Sequence, residues 1–251
     1  DNDTFKQLAR DAANGISYKD FQQAVTLQQQ GRPQEAIPYF KKALTGMDTA
    51  ELRAAYGVSL QSAGQLDEAI AQYQKALTQT PDNSDYQYYL GTAFHQKNDL
   101  AKAKAAYQKA LTLRPDNKEA RDALASIEQA TASAQLENAI DAYNKRNYPA
   151  ALTLVNQALA GNNQDAMAHY YKGLILDAQK KQTSAIQSYR ESIRLKPDFS
   201  DAYYALGVDL DTVKDVHGAR TAFEKFLDLS ADNDDDFVKY ARDRVKTLSM
   251  Q

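Results

Sequence analysis

The sequence predicts an all-α fold, a solenoid of antiparallel helix pairs with a short capping helix at each end. Three observations lead there. Glycine and proline recur with a period of 34 residues. Small and large apolar residues recur at helical spacing within each period. Turn residues divide each period into two helix-length segments.

The period rests on two residue types that agree. Gly57 and Gly91 are 34 apart, as are Gly173 and Gly207, and so are Pro81 and Pro115. Gly91 to Gly173 and Pro115 to Pro197 both measure 82, two periods and a further 14 residues. A small residue recurs at Ala36, Ala69, Ala103, Ala151, Ala185 and Ala219. Four residues later comes a large apolar one: Phe40, Tyr73, Tyr107, Val155, Tyr189 and Phe223. Spacings of three and four place such residues on one helix face. In the third unit Ser84 to Lys97 reads as the first helix, Asn98-Asp99 as the turn, and Leu100 to Leu113 as the second helix, stopped by Pro115. A glycine inside a helix costs about 1 kcal/mol against alanine, so four of them imply a compensating close approach. For Gly91 the expected neighbour is Ala103.

The lattice breaks in two places. The first unit is one residue short near Gly46, and its second helix carries Pro38, which removes a backbone donor and favours a kink. The 14-residue insertion leaves Lys118 to Ala130 as a first helix without a second. One continuous helix over 118–145 is favoured, since 14 residues is close to four turns; a break near Thr131 is the alternative. The expected organisation is therefore a cap over 1–16, three repeats over 17–117, a linking helix over 118–131, three repeats over 132–231 and a cap over 232–251. Phe5, Leu8, Ala9 and Ala12 mark the first cap, which ends at Gly15. Phe237, Ala241, Val245 and Leu248 mark the apolar stripe of the last.

The units resemble the tetratricopeptide repeat family, whose pattern is W-x2-L-G-x2-Y, then A-x3-F, then P. The third unit reads Gln87, Leu90-Gly91, Phe94, Ala103, Tyr107, Pro115. The sixth reads Tyr203, Leu206-Gly207, Leu210, Ala219, Phe223, with Ala231 in place of proline. The first and fourth carry Ala24 and Ala139 in place of glycine, and no unit has the tryptophan. The resemblance covers roughly residues 17 to 231. It implies a right-handed superhelix and a scaffold that binds other proteins on a concave face lined by the first helices.

Composition excludes several other classes. There are no cysteines, which removes disulfides and thiolate metal sites. A formal net charge of −3 argues against nucleic acid as a partner. No run of 18 apolar residues is present, so no membrane span is expected. The chain begins at Asp1 rather than Met, which leans toward an exported product. His95, His169 and His217 share no ligand spacing. The run Asp232 to Asp236 lacks the glycine of a calcium loop, since Phe237 stands there, and reads instead as charge at a helix N-terminus. No phosphate loop, nucleophile elbow or paired-carboxylate arrangement is identifiable, so the expectation is a non-enzyme with no cofactor and no metal.

Matching the repeat proposes the groove. The partner-binding residues are Tyr88, Thr92 and His95 in the first half. In the second half they are Ile140, Tyr143, Met167, Tyr170, Leu174, Asp177, Asp201, Tyr204, Val208 and Asp211. Ala54, Asp85 and Leu136 belong to the wider set of groove positions. None is basic, so the Lys/Arg/Asn clamp that some family members use for a C-terminal carboxylate is missing. The expected occupant is a protein segment, apolar and carrying Lys or Arg. The alternative is a structural protein that self-assembles into a homo-oligomer or filament through the solenoid ends.

Overall fold

The computed structural model describes residues 2–230 and 235–250, with side chains from residue 14 onward. Among the described residues there are thirteen α-helices and no strand. They are α1 (Asn2–Gln29), α2 (Pro33–Ala43), α3 (Ala50–Ser62), α4 (Leu66–Gln79), α5 (Ser84–Gln96), α6 (Leu100–Leu113), α7 (Lys118–Asn144), α8 (Tyr148–Gly161), α9 (Ala166–Ala178), α10 (Gln182–Leu195), α11 (Ser200–Thr212), α12 (Val216–Leu229) and α13 (Asp236–Leu248). Successive helices pair as α1 with α2, α3 with α4, α5 with α6, α9 with α10 and α11 with α12.

The chain forms two compact units, Asp1–Ile127 and Glu128–Gln251. In the first, three helix pairs are closed by Ala120 and Ile127 from the start of α7, which join the same core. In the second, Leu136 and Ala139 of α7 pack with Ala151 and Val155 of α8. The α9–α12 pairs follow, and Val238, Ala241 and Leu248 of α13 close the end. The helix α7 runs unbroken from Lys118 to Asn144. It contains neither glycine nor proline, so nothing local stops it.

The helical glycines seat aromatic rings. A Cβ built on Gly57 would lie 2.5 Å from the Tyr73 ring, on Gly91 2.6 Å from Tyr107, and on Gly207 2.7 Å from Phe223. Gly173 meets Tyr189 in the same way. The rings are 0–1 % exposed. The close approach expected for Gly91 thus exists, but the ring of Tyr107 makes it rather than Ala103. A ring this close to the helix backbone excludes even a methyl group.

Each first helix from α1 to α11 ends in one left-handed residue: Gly31, Gly64, Asn98, Arg146, Lys180 and Lys214, with φ between 59° and 79°. The next residue returns a hydrogen bond to the carbonyl five positions back, as in Asp99 N to Phe94 O (2.9 Å) and Asp215 N to Leu210 O (2.9 Å). This is the Schellman stop. Only two of the six are glycine, so the turn was only partly legible. Lys214→Gly is expected to raise stability by about 0.5 kcal/mol, the relief of left-handed strain less the entropy of glycine, read as a higher urea midpoint.

Three of the second helices, α6, α8 and α12, start on Asp or Asn caps, while α2, α4 and α10 start on Arg32, Gln65 and Lys181 with no side-chain cap. Asp99, Asn147 and Asp215 each accept a backbone N–H, from Lys102, Ala150 and Gly218. Asp165 and Asp235 do the same for α9 and α13. Asp reaches those donors and Glu does not, which accounts for part of the excess of 25 Asp over 8 Glu. Asp232 and Asp234 lie outside the described residues.

Two expectations about the ends need correction. The N-terminal cap is not a separate helix, because α1 passes through Gly15. About 1 kcal/mol for one glycine is too little to end a helix whose next turns are anchored by the buried Ser17, Asp20 and Ala24. The side chains of Phe5, Leu8, Ala9 and Ala12 lie outside those described. At the other end, the buried stripe of α13 begins at Val238, not Phe237, whose side chain is 58 % exposed. Positions 238, 241, 245 and 248 keep the three-and-four spacing with Val238 at its start, and Phe237 is turned aside by about one residue step.

Candidate groove in the second unit

Each first helix offers four positions spaced three or four apart, hence on one face. In α9 these are Met167, Tyr170, Leu174 and Asp177; in α11 they are Asp201, Tyr204, Val208 and Asp211. The structure brings six of the expected residues together. Tyr143, Tyr170, Leu174, Asp177, Tyr204 and Val208 line one cavity of about 410 Å³, with Tyr189, Ala205, Asp209 and Phe237. A second cleft of about 270 Å³ shares Tyr170, Tyr204 and Phe237 and adds Asp201, Ser200, Phe226, Ser230 and Asp235. The two form a continuous groove within the second unit. No lysine or arginine lines either part.

Aromatic contacts hold the groove in shape. Tyr170 packs against Phe199 at 4.9 Å and Tyr171 at 5.5 Å between ring centroids. Tyr204 packs edge-on against Phe237 at 5.1 Å and Phe226 at 5.2 Å. Such pairs contribute about 1 kcal/mol each beyond area burial, so the rings are both groove wall and structural support. Burial raises the Tyr170 and Tyr189 hydroxyls well above the usual phenol range, with nearby carboxylates adding to the effect. Both remain neutral donors at any physiological pH.

The other expected residues are placed elsewhere. Met167 is exposed at the start of α9, outside both clefts. Ile140 packs against the core around Ala139 and Val155. Asp211 is not free for a partner, since its Oδ1 accepts from Arg244 Nη2 of α13 at 2.7 Å. Tyr88 and Thr92 belong to the first unit, where they line a cavity of about 300 Å³ with Val58, Gln61 and Tyr73. His95 is exposed and does not line it. Among the wider set, Ala54 and Leu136 are buried and Asp85 pairs with Arg114 at 2.6 Å. For Asp211 and Asp85 an arginine distant in sequence supplies a closer partner than the repeat pattern carries.

Three groove residues escape the repeat pattern. Phe237 comes from α13, which is outside the lattice. Tyr189 belongs to the second helices, whereas the groove positions are matched on the first helices. Asp209 lies two residues after Gly207, where the other glycine-bearing repeats have Ser59, Ala93 and Ile175, all 0 % exposed. A carboxylate at a position that is otherwise small or apolar was the available signal.

Among the described residues, no group of three or more His, Cys, Asp or Glu side chains is placed to hold a metal. No described helix is long and apolar enough to cross a membrane. Exposed apolar side chains occur on both terminal helices, Ile16 and Tyr18 on α1 and Phe237 and Tyr240 on α13.

Comparison with known proteins agrees with the helical-repeat fold. A family model described as tetratricopeptide repeat matches residues 55–118 and 136–200, and another of the same description matches 24–46. No curated protein matches the chain by sequence. Among solved structures, the TPR2AB domain of yeast Sti1 in its pHSP90 complex is 19 % identical, with a TM-score of 0.54, over 94 % of this chain and 99 % of that one. The P58(IPK) TPR domain is 19 % identical with a TM-score of 0.45, over 93 % of this chain and 64 % of that one. MamA from Desulfovibrio magneticus RS-1 is 21 % identical with a TM-score of 0.35, over 75 % of this chain and 99 % of that one. At these identities the likeness to Sti1 is one of fold.

Proposed function

The chain belongs to the tetratricopeptide repeat family of protein-interaction scaffolds, and we propose that its second unit holds an apolar partner segment that carries lysine or arginine. The supporting observation is the groove itself. Aromatic and aliphatic side chains form its walls, Asp177, Asp201 and Asp209 supply negative charge, and no cation stands among them. Aromatic side chains at a surface groove are enriched in binding sites, and the carboxylates beside them set the sign of the partner's charge.

The sign of the charge selects the partner. The Sti1 domain carries pHSP90, but an anionic chain terminus would find no counter-charge in this groove. Burying it beside three carboxylates would cost several kcal/mol. A cationic segment gains what an anionic one loses.

The test is affinity capture with mass spectrometry, comparing the wild-type chain with the double variant Phe237→Ala, Asp177→Lys. Phe237 is more than half exposed, so its truncation leaves the core intact, and the lysine reverses the charge at the centre of the groove. Loss of a rim aromatic and of charge complementarity should reduce recovery of a true partner at least tenfold, about 1.4 kcal/mol. Undiminished capture by a variant with an unchanged circular dichroism spectrum would remove the groove from the interaction.

A further inference from the structure

In the first unit the wall between successive first helices is neutral and self-satisfied. Gln61 on α3 donates to Thr92 on α5 (3.1 Å) and accepts from the Tyr73 hydroxyl (2.8 Å). Asp177 occupies the lattice position of Gln61, and Tyr189 that of Tyr73. Facing Asp177 from the next first helix is Asp209, one residue further along α11 than the equivalent of Thr92. Two like-charged groups thus replace a closed hydrogen-bond network. Asp209 is 3 % exposed, and its Oδ2 has no hydrogen-bond partner. Neither carboxylate makes an ion pair with any described residue. Both line the 410 Å³ cavity.

A buried acceptor without a donor is costly unless a ligand supplies one. We propose that Asp177 and Asp209, walled by Tyr143, Tyr170, Tyr189 and Tyr204, form a receptor pocket for one protonated alkylamine, the side chain of a lysine in the docked segment. This rests on the groove reading above and names the group that the groove selects.

The geometry favours ammonium over guanidinium. The acceptors come from two helices, α9 and α11, and line one cavity. An ammonium offers three donors from one atom, whereas a guanidinium fork matches a single carboxylate edge-on. Leu174, Ala205 and Val208 line the same cavity and suit a four-carbon stem, and the tyrosine faces suit a cation.

The pair also couples binding to protons. The titratable groups lining the cavity with Asp209 are Asp177 and Tyr170 on α9, Tyr189 on α10, Tyr204 on α11 and Tyr143 on α7, and none is basic. Burial, then the neighbouring Asp177 carboxylate, pushes Asp209 up to about 7. Below that pH the pair holds a proton, which lets one carboxyl donate to the other. An entering ammonium must displace this proton.

The test is an NMR titration of the full chain with n-butylammonium, using n-butanol as the neutral control and n-butylguanidinium as the arginine mimic. Saturable shifts of α9 and α11 amides by n-butylammonium at pH 8 are expected, at least fivefold weaker at pH 5.5 and in Asp209→Asn. n-Butanol should give no saturable shift. Equal binding by Asp209→Asn, or saturable shifts confined to helices that do not line the cavity, would overturn the pocket. Tighter binding of n-butylguanidinium would overturn the assignment to lysine. The two readings fail separately: capture lost in the groove variant with no n-butylammonium binding leaves the groove without the pocket. Binding of n-butylammonium with capture unchanged leaves the pocket but overturns its source in a docked lysine.

Discussion

Gly91→Ala is expected to destabilise the first unit by about 2 kcal/mol, although alanine is the better helix former. The propensity gain is about 1 kcal/mol. Against it stands a new Cβ 2.6 Å from the Tyr107 ring, itself 1 % exposed and packed against Tyr88 at 5.9 Å. Relief requires moving a fully buried ring out of a fitted core, which places the cost at the upper end of the overpacking range, about 3 kcal/mol. The same substitution at Gly15 is the control. Nothing lies within 4 Å of a Cβ there, and Gly15 is inside α1. Gly15→Ala should therefore stabilise, by up to about 1 kcal/mol. Urea denaturation measures both, and amide exchange should place the loss from Gly91→Ala in α5 and α6. Two substitutions with the same sign would mean that helix propensity, not ring seating, decides these positions.

That pair of glycines shows what the sequence made legible. Periodicity marked Gly57, Gly91, Gly173 and Gly207 as special because a costly residue recurred at a fixed interval. It could not name the cause, because a period locates an element without giving side-chain direction, and the ring four residues past each alanine does the packing. The groove behaved alike. Six expected residues of the second unit meet in one cavity because they share one helix face, which spacing alone determines. Asp211 shares that face and is lost to the groove, since Arg244 comes from α13, outside the repeat. Phe237 joins the groove for the same reason. Asp209 lies off that face at a position filled by Ser59, Ala93 and Ile175 in the other glycine-bearing repeats, so the spacing that gathers the groove residues does not select it.

The same Asp209 gives the second large effect. The stability of the second unit is expected to fall as pH rises from about 4 to about 7, and Asp209→Asn should abolish that fall. The sign follows from linkage. The carboxyl has an ordinary value near 4 when unfolded and is raised to about 7 when folded, by burial and then by Asp177. Below about pH 4 both states hold the proton and nothing is lost. Between the two values the unfolded state has released its proton while the folded state retains it, so each increment of pH favours unfolding. Above about 7 the loss is complete. A full three-unit shift corresponds to about 4 kcal/mol, and water relaxing the edge of an open groove reduces this to about 2 kcal/mol. Thermal melts of both proteins between pH 4.5 and 8 isolate the Asp177–Asp209 pair, because titrating groups away from it are common to the two and cancel in the difference. The variant should match wild type at pH 4.5 and exceed it by about 2 kcal/mol at pH 8. A difference that stays constant across the window would rule out the carboxylate pair as its cause. Ala93 and Ile175 show that the fold accepts a neutral residue at this position, so the carboxylate is not needed for folding. A group that weakens the free protein at neutral pH, and whose charge an incoming cation would neutralise, makes the unit's stability depend on its ligand.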